Sequence, residues 1–506
     1  MNLTRTLIDK FGYEEFRMGQ EEIIRDVLEG KDVFAMLPTG AGKSLCYQLP
    51  AYLGHSPVLI VSPLVSLMED QVQQLKTKGE KRVLALNSFL DFEKRLTALQ
   101  NLSSYTFIFA SPEILQNNNV KRTLKKVRFS LMVVDEAHCI SQWGHDFRTD
   151  YLKLGDVRAE LGQPPLLALT ATATEDVRKD IIAQLNMVDP TLHIHSVDRP
   201  NIAIKLERHA TLDSKMNSVL EYGKTLQGPG IIYFSSRAIA EQVSIKLSES
   251  GVQGVAAYHA GLDSESRLLI QQQFINDELS LICSTNAFGM GINKSNVRYV
   301  VHFHPPSNTE SYLQEIGRAG RDQEPAIAIQ LFTEADERLP ISFIETELPE
   351  RQQISMLLEE LRVRAGEHIS LDYEKEGIRY KLSETAWRFI IHHLHQKGIL
   401  LNGIVNTFHY QSLLEDLSNE VERLRKRKLL KWIDFKKWLY DNQCRRKGLL
   451  ERFDEDVPKI DQCCDYCGLI EEVYMKQGDS TLKEVTAIDW DKELQFMLRV
   501  EEKGEE

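Results

Sequence analysis

Apolar residues along this chain fall into short runs of four or five, separated by longer stretches in which they recur three or four positions apart. Val33-Phe34-Ala35-Met36-Leu37 is the first run, and Val58–Val61, Phe107–Ala110, Leu131–Val134 and Leu166–Leu169 follow it. Each is apolar at consecutive positions, so both faces must be covered, and that is the pattern of a buried parallel strand. The intervening stretches, beginning with Gln20–Leu28, are amphipathic and predict helices. A second series, Ile231–Phe234, Val255–Tyr258, Leu281–Cys283 and Tyr299–Val301, follows a linker expected near Leu206–Ser214. The expected fold class is therefore α/β, with two parallel-sheet lobes over residues 1–205 and 206–345.

Beyond about residue 345 the pattern changes. Ile354–Val363 reads as a helix, and Ser383-Glu384-Thr385 caps another that runs through His395 with Trp387, Ile390, Ile391 and Leu394 on its apolar side. Gly398–Gly403 then reads as a strand and tight turn, so residues 346–410 are expected to form a winged-helix-like region. His392, His393 and His395 point in different directions on a helix and are expected to be surface or capping residues. Residues 411–470 predict a mainly helical module, and 471–506 an acidic tail region. Arg423–Lys447 is the most basic stretch, with Trp432, Phe435, Trp438 and Leu439 at helical spacing inside it. One reading is a core-facing stripe with a solvated face, the other a platform for a nucleic-acid backbone, and one helix can serve as both.

The candidate chemistry lies at strand ends, where open α/β sheets bind ligands. After the first run comes Pro38-Thr39-Gly40-Ala41-Gly42-Lys43-Ser44, a glycine-rich phosphate loop opening a helix. Lys43 is placed to reach β/γ-phosphates and Ser44 to ligate Mg²⁺. The strict loop pattern has Gly where Leu37 stands. Leu131–Val134 stops at Asp135 and Glu136: the first can hold a nucleotide's Mg²⁺, the second can orient a water for attack on a phosphate. Directly after them come Trp143, Phe147 and Arg148, aromatics beside a cation, which suit base stacking and phosphate contact on a single strand. Arg318 and Arg321 share one helix face and can reach across a cleft between lobes toward a triphosphate.

Net charge narrows the reading. At −13 the chain as a whole repels polyanions, so nucleic acid must be held by local basic surfaces. No apolar run approaches the roughly 20 residues that span a bilayer, and the first residues lack a signal peptide's apolar core, so a cytoplasmic location is expected, nucleoid-associated in a bacterium. Cys46, Cys139 and Cys283 stand alone in core-like segments. Cys444, Cys463, Cys464 and Cys467 crowd together, which in a reducing compartment suggests metal before disulfide.

Asp135-Glu136-Ala137-His138 resembles motif II of the superfamily-two helicases, and the longer string through Arg148 resembles the RecQ family of DEAH-box DNA helicases. The resemblance covers residues 11 to about 335 and again about 420 to 470. It implies two RecA-like lobes, ATP with Mg²⁺, and single-stranded and duplex DNA as partners. It also implies adenine contacts from Tyr13, Arg17 and Gln20, and nucleotide contacts from Thr39, Gly40, Gly42, Lys43, Ser44 and Asp135. Val58–Leu64 and Thr106–Glu113 resemble the motifs that grip DNA backbone, and Thr170-Ala171-Thr172-Ala173 the one that couples hydrolysis to movement. Tyr258–Leu262 and Phe288–Asn293 resemble second-lobe motifs, with Asn293 where many relatives have Asp. Glu315–Asp322 resembles motif VI, with Arg321 the expected finger and Arg318 its support. The cysteines resemble the family's Zn²⁺ module. Asp461 competes with Cys463 for the second ligand position, and thiolate is preferred as the softer ligand.

About ninety residues precede Cys444 after the second lobe, and too few follow Cys467 for the family's usual later domains, so handling of four-way junctions is in doubt. The motor is not. The expected function is ATP-dependent DNA unwinding by single-strand translocation, 3′-to-5′ by resemblance, in DNA repair and recombination. An RNA-dependent ATPase and a nucleotide-gated clamp with little unwinding are the alternatives. Single-stranded-DNA-binding or repair proteins as partners leave no readable mark in the sequence.

Overall fold

The computed structural model describes residues 2–87, 90–141, 148–289, 294–401, 403–456, 460 and 463–476. β1 (Val33–Met36), β2 (Val58–Val61), β3 (Val83–Leu86), β4 (Phe107–Ala110), β5 (Leu131–Val134), β6 (Leu166–Thr170) and β7 (Thr191–Ile194) form one parallel sheet in the order β3-β4-β2-β5-β6-β1-β7. Strand side chains alternate between faces. Phe34, Met36, Leu59, Val61, Met132 and Val134 enter one core, while Val33, Ala35, Val58, Ile60, Leu131 and Val133 enter the other. Covering both faces is what makes these runs continuously apolar. The chain order also brings the ends of β5, β6 and β1 side by side, so loops far apart in sequence open into one place.

β8 (Ile202–Arg208), β9 (Gly230–Tyr233), β10 (Val255–Tyr258), β11 (Leu281–Ser284), β12 (Tyr299–His302) and β13 (Ala326–Phe332) make the second sheet, also parallel, in the order β10-β11-β9-β12-β13-β8. The segment expected as a linker near Leu206–Ser214 is different. Residues 202–208 are edge strand β8, and the chain passes between the sheets at 195–201. Polar residues in β8 obscured it: Lys205 bridges Glu207 at 2.7 Å and Glu471 at 2.6 Å, so its charge is held inside the structure.

The C-terminal region is built on helices Arg351–Val363 and Glu384–Gln396, an antiparallel hairpin of β14 (Leu400–Leu401) and β15 (Ile404–Val405), and the long helix Tyr410–Tyr440. Leu357, Ile390, Leu394, Leu413 and Leu417 share its core. His392 and His393 are buried, a correction to the expectation of surface residues. Their helix is covered on several sides, by the surrounding helices and by Thr149–Lys153 of the first lobe, so more of its circumference is interior than a one-sided stripe predicts.

The long helix joins two cores. Its first half supplies Leu413, Leu417 and Val421 to the helical core, and its second half supplies Trp432, Phe435 and Trp438 to the second lobe. Several of its cations pair with acids of the second lobe or its neighbours: Lys431 with Glu310 at 2.6 Å, Lys428 with Glu347, and Lys436 with Glu337. Of the two readings of this basic stretch, the stripe is what these contacts show, with much of the charge spent on holding the helix down. Among the described residues no helix is long and apolar enough to cross a membrane.

Candidate active site

β1 delivers the glycine-rich loop. Gly40 and Gly42 have φ of +86° and +80°, a left-handed backbone that a side chain would strain. The helix Leu45–Leu53 begins immediately after Ser44. Gln20 is buried under this loop, its Nε2 donating to Ala41 O at 2.8 Å and Gly42 O at 3.1 Å, and its Oε1 accepting from Arg17 N at 2.9 Å. Arg17 Nη1 donates to Gly40 O. Two of the three residues expected at adenine, Arg17 and Gln20, thus hold the loop's own carbonyls. Tyr13 is 52% exposed beside them in sequence, its ring open to a partner.

β5 delivers the carboxylates. Asp135 is pushed up to about 7 by burial, with Glu136 adding to the rise and Lys43 opposing it. The Ser44 hydroxyl and Asp135 carboxylate are a hard oxygen set suited to Mg²⁺. Glu136 takes φ 47° and ψ 49°, and its Oε2 is buried without a hydrogen-bond donor, 3.4 Å from His138 Nδ1. His138 Nδ1 lies 3.0 Å from Thr170 Oγ1, which donates to Thr172 O at 3.2 Å, so the loops after β5 and β6 are linked through one imidazole.

Trp143 and Phe147, expected to meet nucleic acid, lie outside the described residues, as do Asn293, Asp461 and the tail beyond Lys476. Beside the segment that carries Trp143, Arg148 N donates to Cys139 O at 2.8 Å, and Arg148 Nη1 donates to Pro63 O at 2.7 Å in the loop after β2. Tyr151, fully buried, donates its hydroxyl to Asp135 O at 3.1 Å. Sequence reasoning missed Tyr151; a lone tyrosine four residues beyond Phe147 gives no signal of whose carbonyl it reaches.

The second lobe brings its arginines to the same loop. A Cβ placed on Gly40 would stand 3.0 Å from Arg321 Cγ, and one on Gly317 would stand 2.9 Å from Thr39 Cβ, so the turn after the Thr309–Ile316 helix packs on the glycine-rich loop. Arg321 is held down to about 9 by burial, then by Arg318 and Arg199, with Glu136 among the opposing charges. Arg318 stays within its own lobe, donating Nη1 to Gly289 O. Arg199, in the segment that passes between the sheets, donates to Thr39 O at 2.6 Å and to Gly317 O at 3.1 Å. Its partners are main-chain carbonyls, which no sequence pattern announces.

Cys444, Cys463, Cys464 and Cys467 bring their sulfurs within 4.8 Å of one another. Cys444 Sγ lies 3.6 Å from Cys463 Sγ and 3.9 Å from Cys464 Sγ. A tetrahedron with metal–sulfur bonds of about 2.3 Å has edges of about 3.8 Å, so the set fits Zn²⁺. The adjacent pair both face inward because the segment is pinned on either side to β8: Ile204 N donates to Cys463 O at 3.3 Å and Asp465 N to Ile204 O at 3.1 Å. The Cys464 thiol is drawn below its ordinary range, first by the Cys463 sulfhydryl and then by backbone N–H groups of Arg445, Cys467 and Tyr466.

Comparison with known proteins places these features. The DEAD/DEAH box helicase model matches residues 17–180, and the helicase conserved C-terminal domain model matches residues 214–323. The chain is 42% identical to the probable ATP-dependent DNA helicase RecS of Bacillus subtilis (strain 168), over 99% of both chains. It is 44% identical to the ATP-dependent DNA helicase RecQ of Pasteurella multocida (strain Pm70) over 64% of this chain and 51% of that one, so it spans about half of that relative's length. Among solved structures it resembles the DEAD-box helicase Mss116 bound to ssRNA and UDP-BeF, with a TM-score of 0.57 and 16% identity over 84% of this chain and 95% of that one. The Mycobacterium smegmatis helicase Lhr bound to ssDNA and AMP-PNP has a TM-score of 0.55 at 20% identity, over 68% and 49% of the two chains. At these identities the structural likeness is one of fold.

Proposed function

The chain belongs to the RecQ family of DEAD/DEAH-box helicases, and from that premise we propose how its residues carry out ATP-dependent unwinding of DNA. One observation carries the reading: Arg321 of the second lobe packs on Gly40 of the first lobe's phosphate loop, with Glu136 among the charges it feels. Residues from two sheets thus share one cleft, as cleavage of a triphosphate between lobes requires.

ATP is the substrate of the motor. Backbone N–H groups of Gly40 and Gly42 and the Lys43 ammonium take the β- and γ-phosphates, and Thr39 borders them. Ser44 and Asp135 hold Mg²⁺, which when bound offsets the phosphates' charge. Glu136 orients the attacking water through its unsatisfied oxygen. Arg321 then stabilises charge on the transferring phosphoryl group, a contribution of about 10³–10⁵ in rate for such fingers, while Arg318 supports its turn. Tyr13 stacks on adenine, and Arg17 and Gln20 exchange loop carbonyls for the base's edge.

Coupling to DNA runs through the Trp143 loop. Trp143 and Phe147 stack on bases of a single strand, and Arg148 anchors the loop's neck to Pro63 beside the strand's path. Tyr151 and the His138–Thr170 contact join that neck to the carboxylates, so strand occupancy and water orientation share a support. Cys444, Cys463, Cys464 and Cys467 hold one structural Zn²⁺. The helix-and-hairpin unit over 346–410 supports a winged-helix-like role beside the motor. The protein acts in the cytoplasm, at the nucleoid of a bacterium, in repair and recombination.

The test is ATP turnover and strand separation on DNA and RNA duplexes with 3′ or 5′ tails. Stimulation by single-stranded DNA, and unwinding of a 3′-tailed DNA duplex, are expected. Equal or greater stimulation by RNA would replace this reading with an RNA-dependent ATPase, and nucleotide-gated DNA retention without strand separation would replace it with a clamp.

A further inference from the structure

Arg199 has no part in the scheme above, yet its guanidinium touches loops of both lobes. Nη1 donates to Thr39 O at 2.6 Å and Gly317 O at 3.1 Å; Nη2 donates to Ala319 O at 3.1 Å and to Gly320 O. Thr39 belongs to the phosphate loop, and Gly317–Gly320 is the turn that leads into Arg321. A single planar cation therefore satisfies carbonyls on either side of the cleft. A guanidinium can do this because its five donors spread in a fixed fork; an ammonium offers three around one atom. Asn201 adds to the grip, donating Nδ2 to Gly320 O at 2.8 Å and Glu324 O at 2.9 Å.

The backbone that carries Arg199 is fixed as well. Pro200 restricts it to extended conformations. Arg199 N donates to Asp198 Oδ1 at 2.8 Å, and Arg199 O accepts from Arg446 Nη1 at 3.1 Å. Arg446 is 2% exposed; it also donates to Asp198 Oδ1 and Ile202 O, and its Nε lies 3.4 Å from Cys463 Sγ. The next residues straddle the lobes, Leu449 entering the core of the second and Leu450 that of the first. An unbroken series of contacts thus runs from the cysteine cluster through Arg446 and Arg199 to the loops that meet the triphosphate.

We propose that Arg199 is a positioning residue for ATP hydrolysis: it fixes the Arg321 turn against the phosphate loop, and Arg446 fixes Arg199. This rests on Arg321 being the finger. Two features separate it from a merely structural contact. Its acceptors lie on both sides of a cleft that the motor must work across, and its Nη1 packs on the same face of Gly40 as Arg321, 3.2 Å from where a Cβ would stand.

The test is a double-mutant cycle in the full chain, reading DNA-stimulated ATP turnover, KM for ATP and Tm. Arg321→Ala alone examines the finger: wild-type kcat in that variant sinks the finger reading and this inference with it. With Arg321→Ala slow, Arg199→Ala is expected to lower kcat by about 10- to 100-fold, the scale of a misplaced catalytic group, with KM little changed. The Arg199→Ala/Arg321→Ala double variant is then expected to be no slower than Arg321→Ala. Losses that multiply in the double variant would overturn the inference while leaving the finger intact. Arg199→Lys keeps the charge and is expected to fold with wild-type Tm yet stay slow; recovery of kcat by lysine would also overturn it. Should the alanine variant fail to fold, Arg199→Lys takes its place in the cycle.

Discussion

Glu136 holds a left-handed backbone at φ 47°, ψ 49°, a conformation that costs a non-glycine residue roughly 1–2 kcal/mol. The turn persists because Glu136 N donates to Asp135 Oδ1 at 3.0 Å and Cys139 N donates to Glu136 O at 2.9 Å. It aims a carboxylate oxygen, buried and without a donor, past the end of β5. Glu136→Gln keeps the shape and removes the charge that orients water. Nucleotide affinity is expected to stay near wild type while kcat falls by at least about 10²-fold, the usual scale for a positioned general base. Lys43→Ala is expected to weaken binding and turnover together. Fluorescent-nucleotide titration beside steady-state hydrolysis checks both, and a Glu136→Gln enzyme at wild-type speed refutes the assignment. At this scale the sequence singles out residues where the proposed chemistry calls for a residue type, as at Lys43, Asp135 and Glu136, whose charges the structure brings together. It was silent about Arg199, Tyr151 and Arg446, whose side chains serve main-chain carbonyls that carry no identity of their own.

Elements show where apolar patterning informs and where it fails. Strands β1, β2, β4, β5 and β6 announced themselves because both faces are buried. β8 did not, since Lys205, Glu207 and Arg208 break its run although the first two are paired. Next to the segment that carries Trp143, Arg148 donates to Cys139 O and Pro63 O, and the aromatic itself is assigned to nucleic acid. Trp143→Ala is accordingly expected to cut DNA-stimulated turnover and unwinding while leaving Tm almost unchanged; a loss of about 3–5 kcal/mol in stability with normal coupling would mark Trp143 as a core residue instead. The Glu384–Gln396 helix carries a pH dependence. Burial pulls His392 down to about 3, with His393, Lys153 and His395 adding to the shift, and burial lowers His393 as well. The unfolded chain, with histidines near 6.5, binds protons that the folded helix refuses. Stability is therefore full above about pH 6.5 and lost as pH falls, by up to about 1.4 kcal/mol per pH unit for one such group. His392→Gln is expected to flatten acid unfolding between pH 6.5 and 4.5, followed by tryptophan fluorescence; an unaltered acid transition would assign the loss to other groups.

For the molecule as a whole, the cysteine module sits where the two lobes join. It pairs with β8 through Cys463 and Asp465, places Leu450 and Phe453 in the first lobe's core, and grips the segment that passes between the sheets through Arg446 and through Glu455, which accepts from Val197 N at 3.0 Å. Four sulfurs within 4.8 Å fill a tetrahedral zinc and leave no position for catalysis, so the expected content is one structural Zn²⁺ per chain. Such sites contribute about 10–16 kcal/mol, which for a small module is folding energy. Chelation is therefore expected to unfold the segment around the four cysteines while the first lobe still binds nucleotide, and to lower DNA-stimulated turnover because Arg446 loses its contact with Cys463. Circular dichroism, nucleotide titration and ATPase rate on the same chelated sample separate these effects. The ligand set is decided by metal content in two variants. Cys463→Ser is expected to lose zinc, because its sulfur lies 3.6 Å from that of Cys444, and Asp461→Asn to keep it. Zinc kept in the first and lost in the second would transfer the ligand position to Asp461 and leave Cys463 only as the acceptor for Arg446.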